Sequence, residues 1–128
     1  MSFFYVSDED APADVERRGD LAVLVAGGEI DYAASPQLRQ RINDRIDAGA
    51  RRLVLDLTDV TFIDSTAIGV LVGTVMRLHE LGDGGGLSVV CAEENQRVLR
   101  IFEIAGVDSL IALHRSRQGA LSALAAAG

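Results

Sequence analysis

Apolar residues along the chain fall into two kinds of segment, short continuous runs and stripes at helical spacing. The run Leu21-Ala22-Val23-Leu24-Val25-Ala26 has the composition of a buried strand. Gly19-Asp20 ahead of it is a turn signal, so Val15–Arg18 and Leu21–Ala26 are predicted to form a hairpin. Further on, Leu38, Ile42 and Ile46 recur at i, i+4 and i+8 while Arg39, Arg41, Asn43 and Asp44 face water, the pattern of an amphipathic helix. That helix is expected to start at Ser35 as its cap, with Pro36 at the first helical position where its missing N–H costs nothing, and to stop at Gly49. Arg52–Leu57 is the next strand, and the order strand, helix, strand calls for a crossover and a parallel pair.

Ser65–Leu81 reads as the most apolar helix, with Ile68, Leu71, Val72, Val75 and Met76 spread around it, and is expected to be largely buried. Gly69 and Gly73 cost about 1 kcal/mol each there relative to alanine. Close approach of this helix to the sheet or to a neighbouring helix is the simplest compensation. Leu87–Cys91 is a strand. Asn95–Ala105 follows as a helix with Val98, Ile101, Phe102 and Ala105 on one face, closed by Gly106. Leu110–Leu113 adds a short strand and Ser116–Ala126 a last helix. The expected fold is a single α/β domain over residues 15–126, a mixed and mostly parallel sheet of four to five strands with about four helices mainly on one face. Residues 1–14 are expected to form an N-terminal arm: Phe3, Phe4 and Tyr5 pair as an edge strand or pack on a partner, and Ser7–Asp14 is solvated.

With 128 residues, 48% of them hydrophobic, the chain is sized for one self-sufficient core without metal or disulfides. The single Cys91 has no mate, and His79 and His114 are too dispersed to add ligand spacing, so no metal or other cofactor is expected. A formal charge of −7 repels phosphate backbones and anionic lipid, which argues against direct nucleic-acid or membrane binding. No run of about 18 apolar residues and no basic, apolar leader is present, and the expected location is the cytoplasm.

Few residues invite catalysis. A nucleophile needs a base within reach, and the histidines lie far in sequence from Ser65. Gly82-Asp83-Gly84-Gly85-Gly86 resembles a phosphate loop, but it lies between a helix and the following strand and lacks a Lys-Ser/Thr sequel; it reads as a connector. Asp56 and Asp59 sit where a receiver domain carries its phosphoacceptor aspartate, and Glu29 and Asp31 imitate its acidic pair. Such a site also needs a lysine, and no strand or helix contains one. Gly27-Gly28-Glu29-Ile30-Asp31 reads equally as a bend between strand and helix or as a set of acidic partner contacts.

The segment Phe62-Ile63-Asp64-Ser65-Thr66-Ala67-Ile68-Gly69-Val70 stands out, because an acidic and hydroxyl cluster opens the most apolar helix. Asp64 or Ser65 is suited to accept hydrogen bonds from the free N–H groups of the first turn. A phosphate on a hydroxyl there would meet the positive end of the helix dipole without unfolding the domain. It would add about −1.5 to −2 charges beside Asp64, and a partner docked closely on that corner would be repelled.

These motifs, in this order, resemble the STAS-domain family of bacterial anti-sigma factor antagonists. The resemblance runs from about Val15 to Ala125. It rests on Gly28-Glu29-Ile30-Asp31 after a strand, Leu53–Leu57 leading to Phe62–Leu71, and Arg100-Ile101-Phe102-Glu103-Ile104-Ala105-Gly106-Val107. It implies a binding module rather than an enzyme, with Ser65 as the phosphoacceptor for an anti-sigma factor serine kinase and a PP2C-type phosphatase removing the phosphate. The unphosphorylated form would bind the anti-sigma factor and release a sigma factor; phosphorylation would switch binding off. By the same resemblance the partner-binding residues are Glu29, Asp31, Asp64, Ser65, Thr66 and Gly69. Many members have glycine where this chain has Ala67, a change that favours helix and leaves the acceptor in place. Related STAS domains serve in stress-signalling complexes or as parts of anion transporters and lipid-transport systems, so a structural subunit of a larger assembly is the other family reading.

Overall fold

The computed structural model describes residues 3–12, 20–82 and 84–127. Its elements are β1 (Phe4–Glu9), β2 (Leu21–Ile30), α1 (Ser35–Asp47), β3 (Arg52–Ile63), α2 (Ser65–Leu81), β4 (Gly86–Val90), α3 (Gln96–Ala105), a 3-10 turn at Val107–Ser109, β5 (Ala112–His114) and α4 (Arg117–Ala127). The five strands form one sheet in the order β1-β2-β3-β4-β5. Among the described strands only β1 runs antiparallel to its neighbour; the pairs β2–β3, β3–β4 and β4–β5 are parallel. The fold class read from the sequence is the one observed.

Strand alternation sends residues to two faces. Ala22, Leu24, Leu53, Leu55, Leu57 and Ile63 pack beneath α1, α2 and α3, around the fully buried Leu38, Ile42, Leu71 and Phe102. Leu21, Val23, Val54 and Val90 face the other way and meet Ala120 of α4, with Leu121 and Leu124 beside it. Three helices thus cover one face and one helix part of the other.

Several local readings need correction. The expected hairpin arm Val15–Arg18 lies outside the described residues; the antiparallel partner that β2 has is β1, pairing Phe4 with Gly28 through to Glu9 with Val23. Ser7, Asp8 and Glu9 are therefore strand residues. Arg41 of α1 fastens that strand, donating to the Val6 carbonyl at 3.1 Å and to Asp8 at 2.8 Å. Ser35 does not cap α1; Ala34 is the cap residue and Ser35 the first helical one. β3 continues through Ile63, six residues beyond its expected end, because β2 pairs with it as far as Ile30–Ile63. That pairing contains two irregularities. Val25 faces Asp56, Gly27 faces Asp59 and Glu29 faces Phe62, so β3 gains one residue at each step.

In α2, Ile68 and Leu71 are buried, Val72 and Val75 half-buried, and Met76 is 59% exposed. Gly69 and Gly73 are exposed, and a Cβ at either would meet no heavy atom within 4 Å outside the local helix backbone. The close helix approach expected of them does not occur.

Candidate functional site

The carboxyl ends of β2 and β3 bring the acidic and hydroxyl segments together. Asp64 N–H donates to the Ile30 carbonyl at 3.3 Å, so the turn after β2 and the start of α2 share one corner of the molecule. Each turn is closed by its own aspartate. Asp31 Oδ1 accepts from Ala34 N–H at 3.0 Å, and the Asp31 carbonyl accepts from the Ser35 hydroxyl at 2.8 Å. Asp64 has extended backbone and caps α2, its Oδ1 accepting from Ala67 N–H at 3.1 Å. Both carboxylates are half-buried and so have a structural task alongside any contact they make.

Two serines open helices, with opposite outcomes. Ser35 is 1% exposed and its hydroxyl is spent on Asp31. Ser65 is exposed, and its hydroxyl bonds to none of the described residues because Asp64 already supplies the cap. It stands at the amino terminus of a 17-residue helix, where unsatisfied N–H groups and the helix dipole favour an added negative charge. Thr66 beside it is half-buried, and Ala67 is fully buried in the core.

Glu29 stands across from Phe62 in the β2–β3 register, one step from the buried pair Ile30–Ile63, so both point to the sheet face opposite α1–α3. Its N–H donates to the Phe3 carbonyl at 2.7 Å. Gly69 lies one helical turn from Ser65 and lines a cleft between α1 and α2 rather than the corner itself. Two further residues belong to the corner. Tyr32 follows Asp31 directly and is 77% exposed, and Phe62 is 38% exposed. Periodicity does not mark Tyr32, an isolated aromatic in a turn; its exposure appears only in three dimensions.

Other candidates are occupied elsewhere. Asp56 is 5% exposed; Oδ1 accepts from the Thr58 N–H at 2.9 Å and hydroxyl at 2.6 Å, and Oδ2 from Arg117 Nε at 3.0 Å. That corrects the receiver reading, in which this carboxylate would stand open to a phosphodonor. Asp59 accepts from the Tyr5 hydroxyl at 3.2 Å. The Cys91 thiol is fully buried, and burial pushes its pKa up, with Asp56 adding to the effect and Arg115 opposing it, which disfavours the nucleophilic thiolate. Among the described residues no group of three or more His, Cys, Asp or Glu could hold a metal ion, and no helix is long and apolar enough to cross a membrane.

The family profile described as "STAS domain" matches residues 12–120. The chain belongs to the STAS-domain family of anti-sigma factor antagonists. It is 34% identical to the anti-sigma-B factor antagonist of Bacillus subtilis (strain 168) over 104 residues, 81% of this chain and 90% of that one. The solved anti-sigma factor antagonist from Mycobacterium paratuberculosis superposes with a TM-score of 0.81 at 26% identity, covering 95% of this chain and 94% of its own. The Bacillus cell fate determinant SpoIIAA in its phosphorylated form shares the fold, with a TM-score of 0.64 at 16% identity over 94% of this chain and 99% of its own. Against this STAS fold, the paired turns after β2 and β3 are the only described place where an exposed, unbonded serine opens a helix beside two aspartates.

Proposed function

We propose that the chain is an anti-sigma factor antagonist whose binding is switched by phosphorylation of Ser65. In its unphosphorylated form it binds an anti-sigma factor serine kinase and so releases a sigma factor; a PP2C-type phosphatase resets the phosphorylated form. The chain acts as a regulatory binding protein and not as a catalyst, and the cytoplasm is where such partners meet.

One observation carries the reading: the Ser65 hydroxyl is exposed and bonds to none of the described residues at the start of α2, while its neighbour Asp64 caps the helix. A kinase can therefore reach the oxygen, and the helix loses no hydrogen bond when it is modified. The similarity to an anti-sigma-B factor antagonist at 34% identity supports the partner class. Glu29, Asp31, Asp64, Ser65, Thr66 and Gly69 are the proposed contact residues, and the exposed Tyr32 adds an aromatic of the kind that anchors interfaces. Phosphate at Ser65 would put about −1.5 to −2 charges among Asp31 and Asp64, against whatever basic group the partner sets there.

Incubation with a purified anti-sigma factor kinase and ATP, followed by mass-spectrometric mapping, is expected to place a single phosphate on Ser65. Ser65→Ala should bind that kinase as the unmodified chain does, and Ser65→Glu at least tenfold more weakly, a loss of about 1.4 kcal/mol or more. Equal affinity of the three forms, or phosphate found elsewhere, would end the proposal.

A further inference from the structure

We infer that the cleft between α1 and α2 receives an acidic side chain of the docked anti-sigma factor, with Arg39 as its counter-charge. This rests on the proposed antagonist function and adds a second pole to its interface. The cleft has a volume of about 250 Å³ and is walled by Arg39, Asn43 and Arg77 over a floor that includes Gly69 and Gly73.

The two guanidinium groups are not equivalent. Arg77 is committed to its own chain, donating to Asn43 Oδ1 at 2.7 Å and to Asp47 Oδ1 at 2.6 Å, bonds that clamp α2 to α1. Arg39 is exposed and makes no hydrogen bond or ion pair with any described residue. In a chain with 19 acidic and 12 basic residues, a cation in a cleft with no carboxylate partner among the described residues is a surface complementary to an incoming acid.

The glycines have no packing reason within this chain, since open space surrounds both Cβ positions. What they do is keep the floor of the cleft at the level of the helix backbone. Ser65, Gly69 and Gly73 follow one another at four-residue spacing, so the cleft continues the face of α2 that begins at the acceptor. The corner presents Asp31 and Asp64, and the cleft presents Arg39. A partner spanning both must be basic opposite the first and acidic opposite the second, which fixes its orientation.

Calorimetric titration of a purified anti-sigma factor kinase into the full chain tests this, alongside thermal melts of each variant. Gly73→Ala should raise Tm by about 2–4 °C, because alanine favours helix and meets nothing, and yet weaken binding at least fivefold. Arg39→Glu should leave Tm within about 1 °C and weaken binding at least tenfold. Wild-type affinity in both variants, in a chain that Ser65→Glu still switches off, would overturn the cleft and leave the switch standing. Failure of the unmodified chain to bind any anti-sigma factor kinase would overturn both.

Discussion

At the residue scale, the molecule assigns similar side chains to different tasks through their hydrogen bonds. Ser35 and Ser65 both open helices, but among the described residues only Ser35 has its hydroxyl bonded. Asp56 and Asp64 are both carboxylates near strand ends, and burial separates them: Asp56 is closed by three donors, whereas Asp64 is half-buried and spends one oxygen on a cap. Asp56→Ala should therefore destabilise the fold without a direct effect on the corner. It strands two donors of Thr58 and the guanidinium of Arg117, which also lies 3.8 Å from Glu9. The expected cost is about 2–4 kcal/mol, less than the full sum of the bonds because Arg117 remains partly hydrated. A lower urea midpoint at unchanged m-value would verify it, and an unaltered midpoint would contradict it.

At the element scale, β1 is the part of the sheet most dependent on backbone shape. Gly28 has φ = +85°, and a Cβ there would run into the Phe3 carbonyl. Gly27 is covered by the Tyr5 ring. Gly28→Ala is expected to push the start of β1 away, at a cost of about 2 kcal/mol, and to expose the Glu29 amide that now donates to Phe3. Faster hydrogen exchange at Glu29, with α1 unaffected, is the signature to look for.

The same strand shows where the sequence is legible and where it is not. The stripe Leu38, Ile42, Ile46 gives α1, and all three are at most 1% exposed. Asp64 gives the start of α2, and Gly106, with φ = +68°, the end of α3. The first half of β1 was open to reading as an edge strand, but its second half hides because it is Ser-Asp-Glu, whose polar side chains face solvent on a sheet edge. The extension of β3 hides for a related reason: Thr58, Asp59, Thr61 and Phe62 are exposed, so buried residues recur there only at Val60 and Ile63. The proposed acceptor, Ser65, is legible as part of a motif, and the structure shows it exposed at the start of α2. Its neighbour Tyr32 is not legible, and the two glycines of α2 suggested tight packing where the structure has a cleft.

At the scale of the whole molecule, the proposed switch would work by surface charge and leave the core alone. Ser65 lies outside both hydrophobic clusters, and the cap of α2 is made by Asp64 and not by the neighbouring hydroxyl. A charge added at the amino end of α2 is also favoured by the dipole. Ser65→Glu is thus expected to melt within about 3 °C of the unmodified chain, with the same far-ultraviolet dichroism. A collapse in Tm would mean that binding is lost by unfolding and not by repulsion.

The two extra residues in β3 carry a constraint of their own. Each step alone would exchange the inward and outward sides of everything that follows, turning Ile63 toward water and Asp64 away from its turn; together they restore the parity that Ile30 and Ile63 share. Chain length between Asp56 and Asp64 is consequently free to vary only in even increments. A lineage or an engineer that trims one residue there would flip the corner inside out, while trimming two would merely shorten the reach of the strand that carries it.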